Sequence, residues 1–268
     1  MSEGVVVRLY AEIARRGFRR YATYRAATLA GVFTNTVFGF IQAAVLLAVY
    51  ASREEVGGFD ASEALTYAFL TQGLLAPVDA FNASATEIGA RIRTGDIVTD
   101  LYRPVDLQGY WLAMNLGRAA FHALARGVPP FVVGALAFDL ALPNGAQTWM
   151  AFTASVALAV VAGFALRFAV ALSGFWLLDT RGPEQLTVVV VLFLSGFMLP
   201  ITFFPPWLEG LSRALPFAAM AQVPVEVFLA AGTPGPALAG QAAWALALLG
   251  LGRVVLAAAT RKVVVQGG

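Results

Sequence analysis

The stretch AATLAGVFTNTVFGFIQAAVLLAVY, residues 26–50, runs for 25 residues without a charge. A helix rises about 1.5 Å per residue, so this length covers the ~30 Å apolar core of a bilayer. Ahead of it lie Arg8, Arg15, Arg16, Arg19, Arg20 and Arg25. A cleavable leader has a short basic region and a short apolar core, and neither fits here. The stretch is therefore expected to be a first membrane span, about 26–51.

Further apolar stretches follow, and the pattern predicts an all-α integral membrane protein. The other spans are expected at about 63–86, 113–138, 147–178, 185–204 and 237–259, which makes six transmembrane helices in one domain, 1–268. Composition agrees: 59% of residues are apolar and 13% charged, against ~25% charged in soluble domains. Mean hydropathy is +0.74. Eighteen basic and 16 acidic residues leave a net charge of +2. The basic residues are dispersed at loops and helix ends, as membrane topology requires, so no nucleic-acid partner is implied. There is no cysteine and a single histidine, His122. Disulfides, thiolate zinc sites, iron–sulfur clusters and multi-histidine metal centres are excluded.

Charge asymmetry sets the expected orientation. With the N-terminus inside, the inner segments hold Arg8, Arg15, Arg16, Arg19, Arg20, Arg25, Arg91, Arg93, Arg103, Arg181, Arg261 and Lys262. The outer ones hold only Arg53 and Arg213. Twelve against two places both termini in the cytoplasm. Lys262 is the only lysine beside 17 arginines, a bias that suits a GC-rich bacterial genome and hence the bacterial cytoplasmic membrane.

Some charges fall inside expected spans. Asp79, close to Pro77, lies in the second and Arg167 in the fourth. Intramembrane charges point to function by default, and an internal pair or a snorkelled helix end is the structural alternative. Arg118, His122 and Arg126 recur every four residues and share one helical face. That face is barred from lipid at mid-depth. It packs inside the protein or lies near the cytoplasmic surface, where arginine snorkels.

Residues 4–22 are expected to form an interfacial amphipathic helix, with Val5, Leu9, Ile13 and Phe18 on its apolar side and arginines toward anionic headgroups. Residues 206–236 contain Pro216, Pro224, Pro234 and Pro236, too broken for a span. Two short helices, Pro206–Leu215 and Val223–Ala231, are expected there as an extracellular hairpin.

No catalytic signature is present. The nucleotide-binding GxxxxGK[ST] loop needs a lysine in a glycine-rich turn, and Lys262 stands in Thr260-Arg261-Lys262-Val263. GxSxG and HExxH are absent. The chain is therefore read as no enzyme, with no cofactor or metal of its own. The informative polar segment is Glu87-Ile88-Gly89-Ala90-Arg91-Ile92-Arg93-Thr94-Gly95-Asp96-Ile97-Val98-Thr99-Asp100-Leu101-Tyr102-Arg103-Pro104. Asp96 or Thr94 suits the cap of a short helix reaching Tyr102, with Ile97, Leu101 and Val98 as an apolar side. The pattern leaves two readings open: a helix that docks into a soluble partner, or a surface loop.

Residues 87–104, with Ile92, Gly95, Asp96, Leu101, Arg103 and Pro104, resemble the cytoplasmic segment after the second helix of ABC-2 type exporter permeases. Leu194–Leu208, followed by Leu215-Pro216-Phe217 and Pro224, resembles that family's fifth helix and the hairpin after it. The basic N-terminal helix and six spans match as well, so the resemblance covers essentially the whole chain. It implies the transmembrane subunit of an ATP-binding-cassette exporter. Two separate ATPase subunits, holding ATP and Mg, would drive alternating access through this chain and a second permease, either a copy or a relative. The coupling helix would lie in segment 87–106, with Glu87, Arg91, Gly95, Asp96, Asp100, Leu101, Arg103 and Pro104 at the ATPase contact. The pathway would be lined by Phe33, Phe38, Phe40, Phe193 and Phe197 and suit an amphipathic or hydrophobic cargo such as a drug, natural product, lipid or peptide. The alternatives are a stand-alone secondary transporter or channel that uses Asp79 and Arg167 as a relay, and a membrane enzyme or scaffold.

Overall fold

The structure is a computed structural model that describes residues 3–177 and 179–266, with side chains described for 4–177 and 179–261. Lys262, counted above, thus lies outside the described side chains, and Leu178, the expected end of the fourth span, lies outside the described residues. Among these residues the chain is helical throughout. The one β feature is an antiparallel bridge between Val56 and Phe59.

Four rods are long and apolar enough to cross a bilayer. The first is α2, Arg25–Tyr50. The second joins α6 (Leu107–His122), a π-helical turn (Ala123–Gly127) and α7 (Val128–Ala137) into Leu107–Ala137. The third is α8, Ala146–Leu172, extended by a 3-10 turn to Phe175. The fourth lies within α12, Pro234–Gln266. The second rod begins earlier than the expected 113, because Asp106 caps it: its Oδ2 accepts from Gly109 N at 2.6 Å.

Neither remaining expected span is one long helix. α3, Ala61–Leu74, has 14 residues and covers about 21 Å at 1.5 Å per residue. Asp60 starts it with a capping box: Asp60 Oδ1 accepts from Glu63 N at 2.8 Å and Glu63 Oε2 accepts from Asp60 N at 3.0 Å. Every residue from Ala64 to Leu74 is buried, so α3 is an inner helix that meets protein on all sides. Its pattern ends ahead of Pro77, which has no N–H to give the carbonyl four residues back. The chain then turns through Asp79 (φ 62°) and Asn82 (φ 58°), residue types that tolerate the left-handed region. It resumes as α4, Ala83–Thr94. The stretch 63–86 is thus two helices, broken at Pro77 and Asp79.

The same applies to 185–204. α9 is Arg181–Leu194, 14 residues. Gly196 (φ 93°) and Pro200 end the helical run. The unwound backbone stays satisfied although buried: Gln222 N donates to Ser195 O at 2.9 Å, Tyr67 Oη to Gly196 O at 2.6 Å, and Ile201 N to Gln222 Oε1 at 3.1 Å. Buried backbone N–H and C=O groups require such partners. Two short helices follow, α10 at Pro206–Ala214 and α11 at Gln222–Phe228, the second ending three residues before the expected Ala231.

α8 is the axis, packed by α12, α11, α4, α6 and α9. Small residues Ala159, Ala162, Gly163 and Ala165 are buried along it and let neighbours approach closely. Amides add directional ties: Gln241 Nε2 donates to Ala219 O at 2.8 Å and Ser155 Oγ to Gln241 Oε1 at 2.7 Å.

α1, Glu3–Ala22, packs along α6. A Cβ at Gly117 would overlap the Ala14 carbonyl, and one at Gly17 the Met114 carbonyl, so two glycines make the backbones touch. Edge-to-face rings of Phe18 and Phe121, 5.5 Å apart, continue the contact. Ile13 and Gly17 are buried as the apolar side requires, whereas Val5 is exposed and its place is taken by Val6.

Candidate functional site

Segment 87–106 folds as an elbow. α4 ends at Thr94. Gly95, left-handed at φ 80°, caps it through a bond from its N–H to Ile92 O at 3.2 Å. α5, Ile97–Leu101, follows. The expected cap on α5 does not form: Asp96 instead accepts from the Thr94 hydroxyl at 2.8 Å. The elbow is clasped by Asp100, which is 2% exposed. Its carboxylate accepts from Arg91 Nε at 2.6 Å and Arg91 Nη2 at 3.0 Å, and Arg103 Nη1 lies 3.2 Å away. The hydrogen bond to Asp100 holds the Arg91 pKa above its ordinary value. Glu87 is spent on α1, where Arg20 Nη1 donates to Oε1 at 2.8 Å.

The candidates thus divide. Glu87, Arg91 and Asp100 hold the elbow together, and Leu101 is half-buried against the bundle. Gly95, Asp96, Arg103 and Pro104 are exposed. The apolar side of α5 faces inward through Ile97, not toward a partner, because the bundle offers it the nearer dry surface. The outward face carries Val98, Thr99 and Tyr102, the last 85% exposed. The sequence reading named Tyr102 only as the end of the short helix and not as a candidate contact. Gly95→Ala is expected to destabilise the chain by about 1–2 kcal/mol, because space around Gly95 is open and only the left-handed backbone resists a side chain. An unchanged melting temperature in detergent would refute this.

Behind the elbow lies a buried polar layer. Asp79 Oδ1 accepts from Ala83 N at 3.0 Å, and Oδ2 accepts from Ser84 N at 2.9 Å and Ser84 Oγ at 2.5 Å. Its ion pair is with Arg118, at 3.8 Å, rather than with Arg167. Arg118 also donates to Ala76 O (2.7 Å), Pro77 O (3.0 Å) and Asn115 Oδ1 (2.9 Å). Arg167, fully buried, donates from Nε to Asn82 Oδ1 at 2.8 Å. Asn82 Nδ2 in turn donates to Glu184 O at 2.5 Å. The Arg118 face thus packs inside. Asp79 and Arg167 share one layer, each bonded to the 75–84 turn. Asn82, Ser84, Asn115 and Glu184 were not among the candidates: Asn82, Ser84 and Glu184 stand at helix starts, where polar residues look like loops, and Asn115 is a lone amide inside α6.

The candidate phenylalanines differ in their surroundings. Phe33 and Phe38 are exposed on α2, Phe193 stacks on Phe204 at 5.0 Å, and Phe197 is 2% exposed in the core. Phe40 meets Phe69 edge-to-face at 5.6 Å. An apolar cavity of about 550 Å³ opens elsewhere, among α3, α7 and α8, lined by Phe69, Phe131, Leu136, Trp149, Phe152 and Phe228.

A family model described as ABC-2 family transporter protein matches residues 35–267. No curated protein matches the chain.

Proposed function

The chain belongs to the ABC-2 family of transporter proteins, a membrane transport component that crosses the bilayer more than once, and from this premise we propose that it is the permease subunit of an ATP-driven exporter. One of two ATPase subunits binds its cytoplasmic elbow, and a second permease, which meets the other ATPase, completes the pathway. α3 and α9 act as two further, short spans, which gives six with both termini cytoplasmic in the bacterial inner membrane.

The observation that carries this reading is the clasped elbow. A push on exposed Tyr102 and Asp96 passes through the Arg91–Asp100 pair into α4, and from α4 to α8 and, through Glu87–Arg20, to α1. The internal pairs keep the element stiff, so displacement is transmitted rather than absorbed. ATP closure of the ATPases shifts the permease only by favouring one of its states. The apolar cavity suits hydrophobic or amphipathic cargo.

Exposed aromatics are frequent anchors at interfaces. Tyr102→Asp is expected to weaken co-purification of the cognate ATPase at least tenfold, about 1.4 kcal/mol, with the chain's own melting unchanged. ATPase capture equal to wild type would sink the elbow as the contact.

A further inference from the structure

A cavity of about 300 Å³ opens where α1 meets α2, between Tyr24, Thr28, Asp79, Arg118, His122 and Arg126. Its walls come from four places. The α1–α2 corner gives Tyr21, Tyr24 and Thr28, the 75–83 turn gives Asp79, α6 gives Arg118 and His122, and the π-turn gives Arg126. We propose that this cavity holds a phosphate-type anion, with the headgroup of an anionic lipid as its source, bound by Arg126 and His122.

Charge is the first argument. Asp79 has both oxygens occupied, by Ala83 N and by Ser84 N and Oγ, and its charge is matched by Arg118. Arg126 then adds a positive charge with no acidic partner among the described residues. Its Nε is buried and unpartnered. Uncompensated charge at membrane depth is costly and calls for a counter-ion. His122 is the second argument: the residue is 8% exposed and its buried Nδ1 has no partner.

The backbone has been shaped to place Arg126. The π-turn at Ala123–Gly127 interrupts the α6–α7 rod, and π-turns often mark functional positions. It lays the Arg126 guanidinium on α2 at Gly31, where a Cβ would overlap it. Location supplies the source. The cavity sits at the start of a membrane span, beside exposed Tyr24 and next to the arginine-rich α1. Basic pockets between helices at this level recognise lipid headgroups.

The test uses the full-length chain in detergent, melted by intrinsic fluorescence with added dioleoyl phosphatidylglycerol, dioleoyl phosphatidylcholine or inorganic phosphate. Phosphatidylglycerol is expected to raise the melting temperature by several degrees and phosphatidylcholine to do far less. Arg126→Gln is expected to raise the half-saturating concentration at least tenfold, and Arg126→Lys to retain most of the effect. If inorganic phosphate stabilises the wild-type chain as well as the lipid does, and Arg126→Gln removes it, the anion site stands and its source is free phosphate. No stabilisation by either anion, or equal responses of wild type and Arg126→Gln, overturns the proposal. Should Arg126→Gln not fold, native mass spectrometry of the wild-type chain decides: preferential retention of phosphatidylglycerol over phosphatidylcholine supports the site, and equal retention overturns it. No ATPase or cargo enters these measurements, so their failure leaves the export reading standing.

Discussion

Asp79→Ala is expected to destabilise the bundle by more than any other single change, by about 3–5 kcal/mol, the range for removing one partner of a buried charge pair. Three losses coincide. Arg118, 4% exposed, loses its ion-pair partner. The N–H groups of Ala83 and Ser84 at the start of α4 lose their acceptor. Alanine also resists the left-handed backbone at this position, φ 62°. Asp79→Asn separates these effects, because asparagine tolerates that backbone and keeps a carbonyl acceptor while removing the charge. Its cost is expected to be most of the full loss. Replacing the pair together, Asp79→Asn with Arg118→Met, is expected to recover part of it, since an apolar replacement of both partners leaves no stranded charge. Melting of the four proteins in detergent checks this. An Asp79→Asn variant that melts with the wild type would show that the layer is not held by charge.

Gly117→Val is expected to detach α1. The Ala14 carbonyl and the Phe18 N lie where a Cβ on residue 117 would stand. These are backbone atoms, so no side chain can swing aside and the helix axes themselves must separate. Overpacking costs about 1–3 kcal/mol where neighbours can shift, and occasionally more; here they cannot without losing the Phe18–Phe121 and Tyr21–His122 ring contacts and straining the Arg20–Glu87 bridge that reaches the elbow. Trypsin reads the result directly, since Arg15, Arg16 and Arg19 are exposed on α1 but held in helix. Cleavage there is expected to quicken at least tenfold. Gly4→Ala, with open space around it, serves as the control and is expected to change nothing. Wild-type cleavage rates in Gly117→Val would mean that α1 does not depend on this crossing.

Much of this architecture was legible in the chain. The charge-free run 26–50 is α2 to within a residue, the broken proline-rich stretch is a pair of short helices, and the glycine before Ile97 is the corner of the elbow. The inward packing of Leu101 was left open for a definite reason. Amphipathic spacing tells that α5 has an apolar side, but not whether the bundle or another protein covers it. Fourfold spacing likewise put Arg118, His122 and Arg126 on one face and left open whether it packs inside, because the acid that neutralises Arg118 sits on a separate turn.

What the sequence determined by itself was the solvent: long uncharged runs and dispersed arginines make a helical membrane chain, because transfer free energy depends on composition along each segment. The tertiary structure alone decided which apolar helices face outward, like α2, and which, like α3 and much of α8, are wrapped by protein. Lipid tails and packed side chains are almost equally apolar, so hydropathy cannot separate them. It also decided which charges neutralise each other, since a pairing such as Asp79 with Arg118 depends on angstrom-scale geometry between helices that no local pattern encodes.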